Sequence, residues 1–221
     1  MIHDNPVRYV GVDRVDDPLI YVSGIHGVGF DEIVVVTDPE GNSRPGTVLE
    51  VDGDSAVVQV LGGASGLSSS ETAVRFRGDP FQVRVSEDML GRVFDGLGNP
   101  IDGGPPPFGG ELRNVHGEPI NPAARAYPTD FIQTGISIID GSNSLIRGQK
   151  LPIFSGSGMP HDRLAAQIVR QATLPEEEGA TDFAVILAAM GIKNDIAQFY
   201  RRSLEQSGAM SNVTLFLSTA D

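Results

Sequence analysis

The 221 residues carry 29 acids against 16 lysines and arginines, a formal net charge of −13, with 40% hydrophobic residues and no cysteine. The length suits one large domain or two unequal ones, no apolar run approaches the ~20 residues that span a bilayer, and nothing supports a secretory signal or a disulfide framework. Cytoplasmic residence is therefore expected, and the acid excess excludes nucleic-acid binding as the dominant role, because a phosphate backbone is bound by clustered Lys and Arg.

Six short β-branched runs open the chain: "YVGVDRV", "LIYVSGI", "DEIVVVTD", "GTVLEV", "SAVVQVLG" and "TAVRFRG". Separated by Gly, Asp, Asn and Pro, they predict a small barrel or sandwich over residues 1–77. In "VLEVDGDSAVVQV", Asp52 and Gly53 suit a hairpin turn that places Val48 and Val57 on a core face. Residues 91–110 hold seven glycines and four prolines, so turns and an extended linker wrapping a surface are expected there.

Residues 78–221 then read as an α/β domain. The order is an apolar strand end (Ile153, Phe154), a small-residue loop, a helix, the strand "FAVILAAMG", a helix over 194–207 and the strand "VTLFLSTAD". That alternation predicts a mainly parallel sheet. A parallel sheet is covered on both faces, so an end at Asp221 without a further helix suggests a fragment or a truncated gene product.

The loop "IFSGSGMPHDRLAAQ" has the layout of a phosphate-binding loop without its signature GxxxxGK[ST]. With Ser155 at the first glycine, Pro160 stands for the last glycine, His161 for the lysine and Asp162 for the Ser/Thr. Gly156, Ser157, Gly158 and Met159 complete it. Backbone N–H groups, a lysine and a Mg²⁺-holding hydroxyl do the work of such a loop. Pro160 removes an N–H, His161 is mostly neutral at pH 7, and Asp162 places a carboxylate where a phosphate needs cations. Asp162 is expected to cap or face the positive end of the following helix, and His161 to be a capping or interfacial residue. No metal site is expected. His3, His26 and His116 lack ligand spacing, and Ser155 and Ser157 have no nearby base of the GxSxG kind.

The stretches "VSEDMLGRVFDGLGNPIDGGP", "FIQTGISIIDGSNSLIRGQKLPIFSGSGMPH" and "LAAQIVRQA" resemble the non-catalytic B subunit of the V-type and archaeal A-type rotary ATPases. The resemblance implies an N-terminal β-barrel followed by a truncated RecA-like P-loop domain, in an α+β two-domain chain. In catalytic members of that superfamily the strand after the loop helix ends in GERxREG, whose second glutamate polarises the attacking water. The matching segment here is "GIKNDIA", with Ile196 in that glutamate's place.

By the same resemblance the chain alternates with catalytic A subunits in a hexameric head. Barrels form its crown, stalk subunits are further partners, and the complex sits at the cytoplasmic face of a membrane, coupling ATP synthesis or hydrolysis to proton or sodium transport. The resemblance places the catalytic interface arginine beyond Asp221, so no residue of this chain is assigned to catalysis. No cofactor is assigned; weak ATP or ADP binding with Mg at a subunit interface stays open. Rival readings are an active rotary or type III secretion ATPase and a ring-shaped RNA translocase. The low lysine count, Lys150 and Lys193 against fourteen arginines and eighteen aspartates, resembles proteins that stay soluble in concentrated salt, or reflects a biased genome.

Overall fold

The computed structural model describes residues 7–117, 119, 121–174 and 183–220. Two compact units emerge: residues up to 83 with 112–118, and residues 84–111 with 119 onward.

The first unit is an antiparallel sheet of β1 (Arg8–Val10), β2 (Arg14–Asp16), β3 (Leu19–Ser23), β4 (Glu32–Thr37), β5 (Ser43–Asp52), β6 (Ser55–Val60) and β7 (Ala73–Pro80), in the order β1-β7-β4-β5-β6-β3-β2. Its two end strands are neighbours in sequence. The single run "YVGVDRV" breaks at Gly11, where φ is +91°, and the chain passes from one edge of the sheet to the other, closing the barrel. Glycine takes that conformation at little steric cost. Alternate residues point inward, so Ile20, Val22, Val34, Val36, Val48, Val58, Val60 and Val74 are at most 2% exposed. Tyr9 meets Phe76 edge-on at their flank, with centroids 5.6 Å apart. The buried Glu32 carboxylate accepts the N–H groups of Gly29 (2.9 Å) and Gly78 (2.5 Å), tying the β4 entry to β7.

Two expectations for the β5–β6 hairpin are corrected. Asp52 pairs with Ser55, so the turn is Gly53–Asp54, with positive φ (+61°) at Gly53 alone. A bulge between Val48 and Glu50 then shifts the register, and Ala56, Val58 and Val60 face the core while Val57 is only half-buried. A one-residue slip exchanges the faces of a strand.

β8 (Gln82–Val85) pairs with a later strand, β10 (Glu111–Asn114). Between them lies β9 (Val93–Asp95), and beyond them β11 (Phe131–Ile132), α1 (Ser137–Ser142), β12 (Leu145–Ile146), α2 (His161–Gln171), β13 (Val185–Ile192), α3 (Asn194–Ser207) and β14 (Val213–Thr219). The parallel sheet runs β13-β14-β9.

Two further expectations fail here. Residues 151–154 form no strand, and Phe154 is 92% exposed; Pro152 lacks an N–H for a ladder, which disfavours a strand that short. The third strand comes instead from the glycine- and proline-rich segment, which is therefore more than a linker. Val93 and Phe94 are buried, and Phe94 stacks on Phe216 at 5.4 Å.

That strand ends in a turn built twice in the chain, "DGLGN" (95–99) and "DPEGN" (38–42). In both, one aspartate carboxylate accepts the asparagine's backbone N–H and side-chain amide, the aspartate N–H donates to the asparagine carbonyl, and the glycine has positive φ. Asx turns of this kind satisfy backbone groups that a short hairpin leaves open. Before β9, Arg92 grips Asp102 through two hydrogen bonds, Nε–Oδ2 at 2.5 Å and Nη2–Oδ1 at 2.9 Å. The same carboxylate accepts N–H groups from Val93 and Gly104. A Cβ at Gly104 would lie 2.4 Å from Arg92 Nη2, so a larger residue there would displace the guanidinium.

On one face of the sheet, Leu187, Ala189 and Leu217 pack with Ala165 and Ala166 of α2 and Ile196, Phe199 and Tyr200 of α3. On the other, Ile186 and Met190 are 72% and 76% exposed.

Candidate functional site

The loop from Ser155 to Pro160 is exposed throughout and leads directly into α2. It is held by few bonds. Met159 N–H donates to the Gly156 carbonyl at 3.2 Å, Gly158 takes a positive φ of +83°, and His161 N–H donates to Met159 at 2.9 Å. Gly156, Ser157 and Gly158 thus keep their backbone N–H groups, while Pro160 brings none.

At the helix start the side chains form a short chain of contacts. Ser155 Oγ lies 3.1 Å from His161 Nδ1, and His161 Nε2 lies 3.5 Å from Asp162 Oδ2. Ser155 therefore does have a base within reach, contrary to the expectation from sequence; the six-residue separation is bridged because the loop folds back over the first turn. Asp162 does not cap α2. Pro160 is the N-cap residue without a side-chain bond, and Asp162 lies in the first turn, where the helix dipole favours its charge. His161, also in the first turn, caps nothing either.

Asp162 Oδ1 instead accepts the Tyr200 hydroxyl at 3.0 Å. Tyr200 is 5% exposed, and burial followed by the Asp162 carboxylate pushes its hydroxyl well above the usual phenol range. Its proton stays in the hydrogen bond at any physiological pH. A buried tyrosine needs such a partner, and the inner face of α3, with Ala197, Tyr200 and Leu204 buried, shows that spacing in the sequence. The pairing itself was not legible.

Ile196, in the first turn of α3, packs half-buried into the apolar cluster with Ala166, Ala189 and Tyr200. The structure thus joins the two sequence-predicted sites through one cluster: the helix that follows the loop and the helix carrying Ile196 share Tyr200. At the far end of α2, Gln171 Nε2 donates to the Thr134 carbonyl at 3.0 Å. Thr134 and Gly135 are in turn held by Asp140, whose carboxyl lies below its ordinary range because of the Thr134 hydroxyl bond.

His26 is exposed, His116 sits 3.5 Å from Asp31, and His3 lies outside the described residues. Among the described residues there is no group of three acidic, His or Cys side chains arranged to hold a metal ion, and no helix is long and apolar enough to cross a membrane.

Two family models match the chain in sequence. The β-barrel domain of the ATP synthase alpha/beta family matches residues 14–78, and that family's nucleotide-binding domain matches residues 135–221, the stretch that holds loop, Tyr200 and Ile196. The chain belongs to the ATP synthase alpha/beta family. It is 54% identical over 214 residues, 97% of this chain, to the B subunit of the A-type ATP synthase of Methanopyrus kandleri, covering 21% of that protein. It is 53% identical, again over 214 residues and 97% of this chain, to the corresponding B subunit of the A-type ATP synthase of Aeropyrum pernix, covering 46% of it. The chain spans less than half the length of either relative. The loop at 155–162 falls within the stretch matched by the nucleotide-binding domain.

Proposed function

We propose that the chain is part of a non-catalytic, regulatory B-type subunit of an A/V-type rotary ATP synthase. In this reading it alternates with catalytic subunits in a hexameric head at the cytoplasmic face of a membrane, where ATP synthesis or hydrolysis is coupled to proton or sodium transport. The barrel expected over residues 1–77 joins the crown, and the domain over 78–221 stands at the subunit interfaces.

One observation carries the reading: the carboxylate that replaces the Mg²⁺-holding hydroxyl is hydrogen-bonded to Tyr200. Transfer of a phosphoryl group relies on positioned cations and donors around its equatorial oxygens. Here the lysine position is His161, turned toward Ser155, and Asp162 repels a phosphate. Ile196 lies in an apolar cluster and has no group that could orient water. Each lost transition-state contact of this kind costs roughly 10²- to 10³-fold in rate. The free N–H groups of Gly156 to Gly158 would support weak Mg–ATP or Mg–ADP binding if a partner supplied the cations.

Native mass spectrometry of the full-length protein mixed with the catalytic subunit of such a synthase is the test. The expected result is a hexamer holding the two chains in equal number. A hexamer of the catalytic subunit alone, with this protein left free, would overturn the reading.

A further inference from the structure

On the outer face of the barrel, β1 and β7 set Arg8 directly opposite Arg75. Val74 and Phe76 are buried, so alternation turns Arg75 outward, with Arg77 two places along the same face. Like charges opposed across a ladder destabilise it. Arg14 pairs with Asp16 and Arg44 with Asp38. Arg8, Arg75 and Arg77 make no ion pair among the described residues, in a chain with 29 acids.

Arg8 and Arg75 border one shallow hollow of about 240 Å³. Its other walls are Val35, Thr37, Ser43 and Ala73, with no carboxylate among them. Thr37 and Ser43 are partners across β4 and β5, their hydroxyls 3.0 Å apart. A single hydrogen bond between two hydroxyls uses one of their two protons, so the other O–H is left to donate.

A guanidinium presents a fork of N–H donors that matches two oxygens of a carboxylate or a phosphate. One carboxylate brings a single charge to two guanidinium groups, and two oxygens to three donor groups. A phosphate monoester carries about −1.5 to −2 charges at pH 7 and three acceptor oxygens, so it balances both arginines and leaves an oxygen for the hydroxyl. The hollow has the volume of several waters, enough for a phosphoryl group with the first carbons of its ester against Val35.

We propose that the hollow between Arg8 and Arg75 is a binding site for a small phosphate monoester. The ligand relieves the repulsion of the two opposed charges. The site lies within one barrel, needs no second subunit, and is independent of how the loop at 155–162 is read.

Calorimetric titration of the full-length protein with glycerol 3-phosphate, at one low salt concentration and without Mg²⁺, tests this. Saturable binding is expected with a Kd of about 1 mM or tighter. Arg8→Gln with Arg75→Gln should weaken it by about tenfold or more, and acetate should bind the unaltered protein about tenfold more weakly than the monoester. Without ligand the double variant should unfold at no lower a temperature than the unaltered protein, because the opposed charges are gone. Glycerol 3-phosphate should raise the unfolding temperature of the unaltered protein and not that of the variant. Co-sedimentation with phosphatidylcholine vesicles carrying phosphatidic acid separates two sources of the ligand: arginine-dependent binding assigns it to a lipid headgroup, and vesicles left unbound assign it to a free monoester. No saturable binding of glycerol 3-phosphate, binding undiminished in the double variant, or acetate bound as tightly as the monoester would each overturn the proposal.

Discussion

Replacing Pro160 by Gly, His161 by Lys and Asp162 by Thr is expected to raise the affinity for Mg–ATP by about 100-fold. A charge-assisted bond from a lysine contributes about 1.5–3 kcal/mol, and about 3 kcal/mol is two decades of affinity. Removing the Asp162 carboxylate adds to this by ending its repulsion of the phosphates. Gly156, Ser157 and Gly158 are exposed and lead straight into α2, which leaves their backbone N–H groups open to a phosphate. The substitution also strips Tyr200 of its acceptor, and a buried hydroxyl left unpaired costs about 1–3 kcal/mol. A drop in stability should therefore accompany the gain in affinity, and adding Tyr200→Phe should reverse much of it. Calorimetry with Mg–ATP and urea unfolding check the two halves separately. No gain in affinity would mean that the loop has diverged in backbone path as well as in residue type.

Asp102→Asn is expected to destabilise the second unit by about 3 kcal/mol, because it leaves the Arg92 guanidinium without its charge partner. Arg92 and Asp102 expose only 20% and 14% of their side chains, so water makes up little of the loss. The carboxylate organises four N–H groups at once, two from Arg92 and one each from Val93 and Gly104, and thereby fixes the start of β9. The Arg92 bond, and then the Gly104 and Val93 N–H groups, hold the Asp102 carboxyl well below the usual carboxylate range, against its burial. A depressed carboxyl stabilises the fold above its unfolded pKa, and that contribution is lost as pH falls through the folded value. The gap between the unaltered chain and the Asn variant should thus be full at pH 7 and begin to close below about pH 4, which urea unfolding at several pH values would read.

The barrel was legible because its signal is local. Short β-branched runs such as "EIVVVT" and "SAVVQV" bury every second residue, and turn residues bound each run. What escaped was where the runs bend or slip. "YVGVDRV" is one apolar run but two strands, because Gly11 turns a corner, and the bulge in β5 exchanged the expected roles of Val57 and its neighbours. β9 was hidden for a different reason: three residues in a glycine- and proline-rich stretch make no periodic pattern, and their burial comes from β14, more than a hundred residues away. Its one local trace was the repeated D-x-x-G-N turn. At 155–162 the departures from GxxxxGK[ST] were readable because that motif sets residue types at fixed spacing. The Ser155–His161 and Asp162–Tyr200 contacts were not, since they depend on how the loop folds back and how α3 packs on α2.

The measurement that bears most directly on the non-catalytic reading is steady-state phosphate release from Mg–ATP by the full-length protein purified alone. The expected rate is indistinguishable from a protein-free blank, and His161→Ala with Asp162→Ala leaves it there. Turnover above the blank by the unaltered protein, whether or not it survives those substitutions, would contradict the account of residues 155–162 and of Ile196.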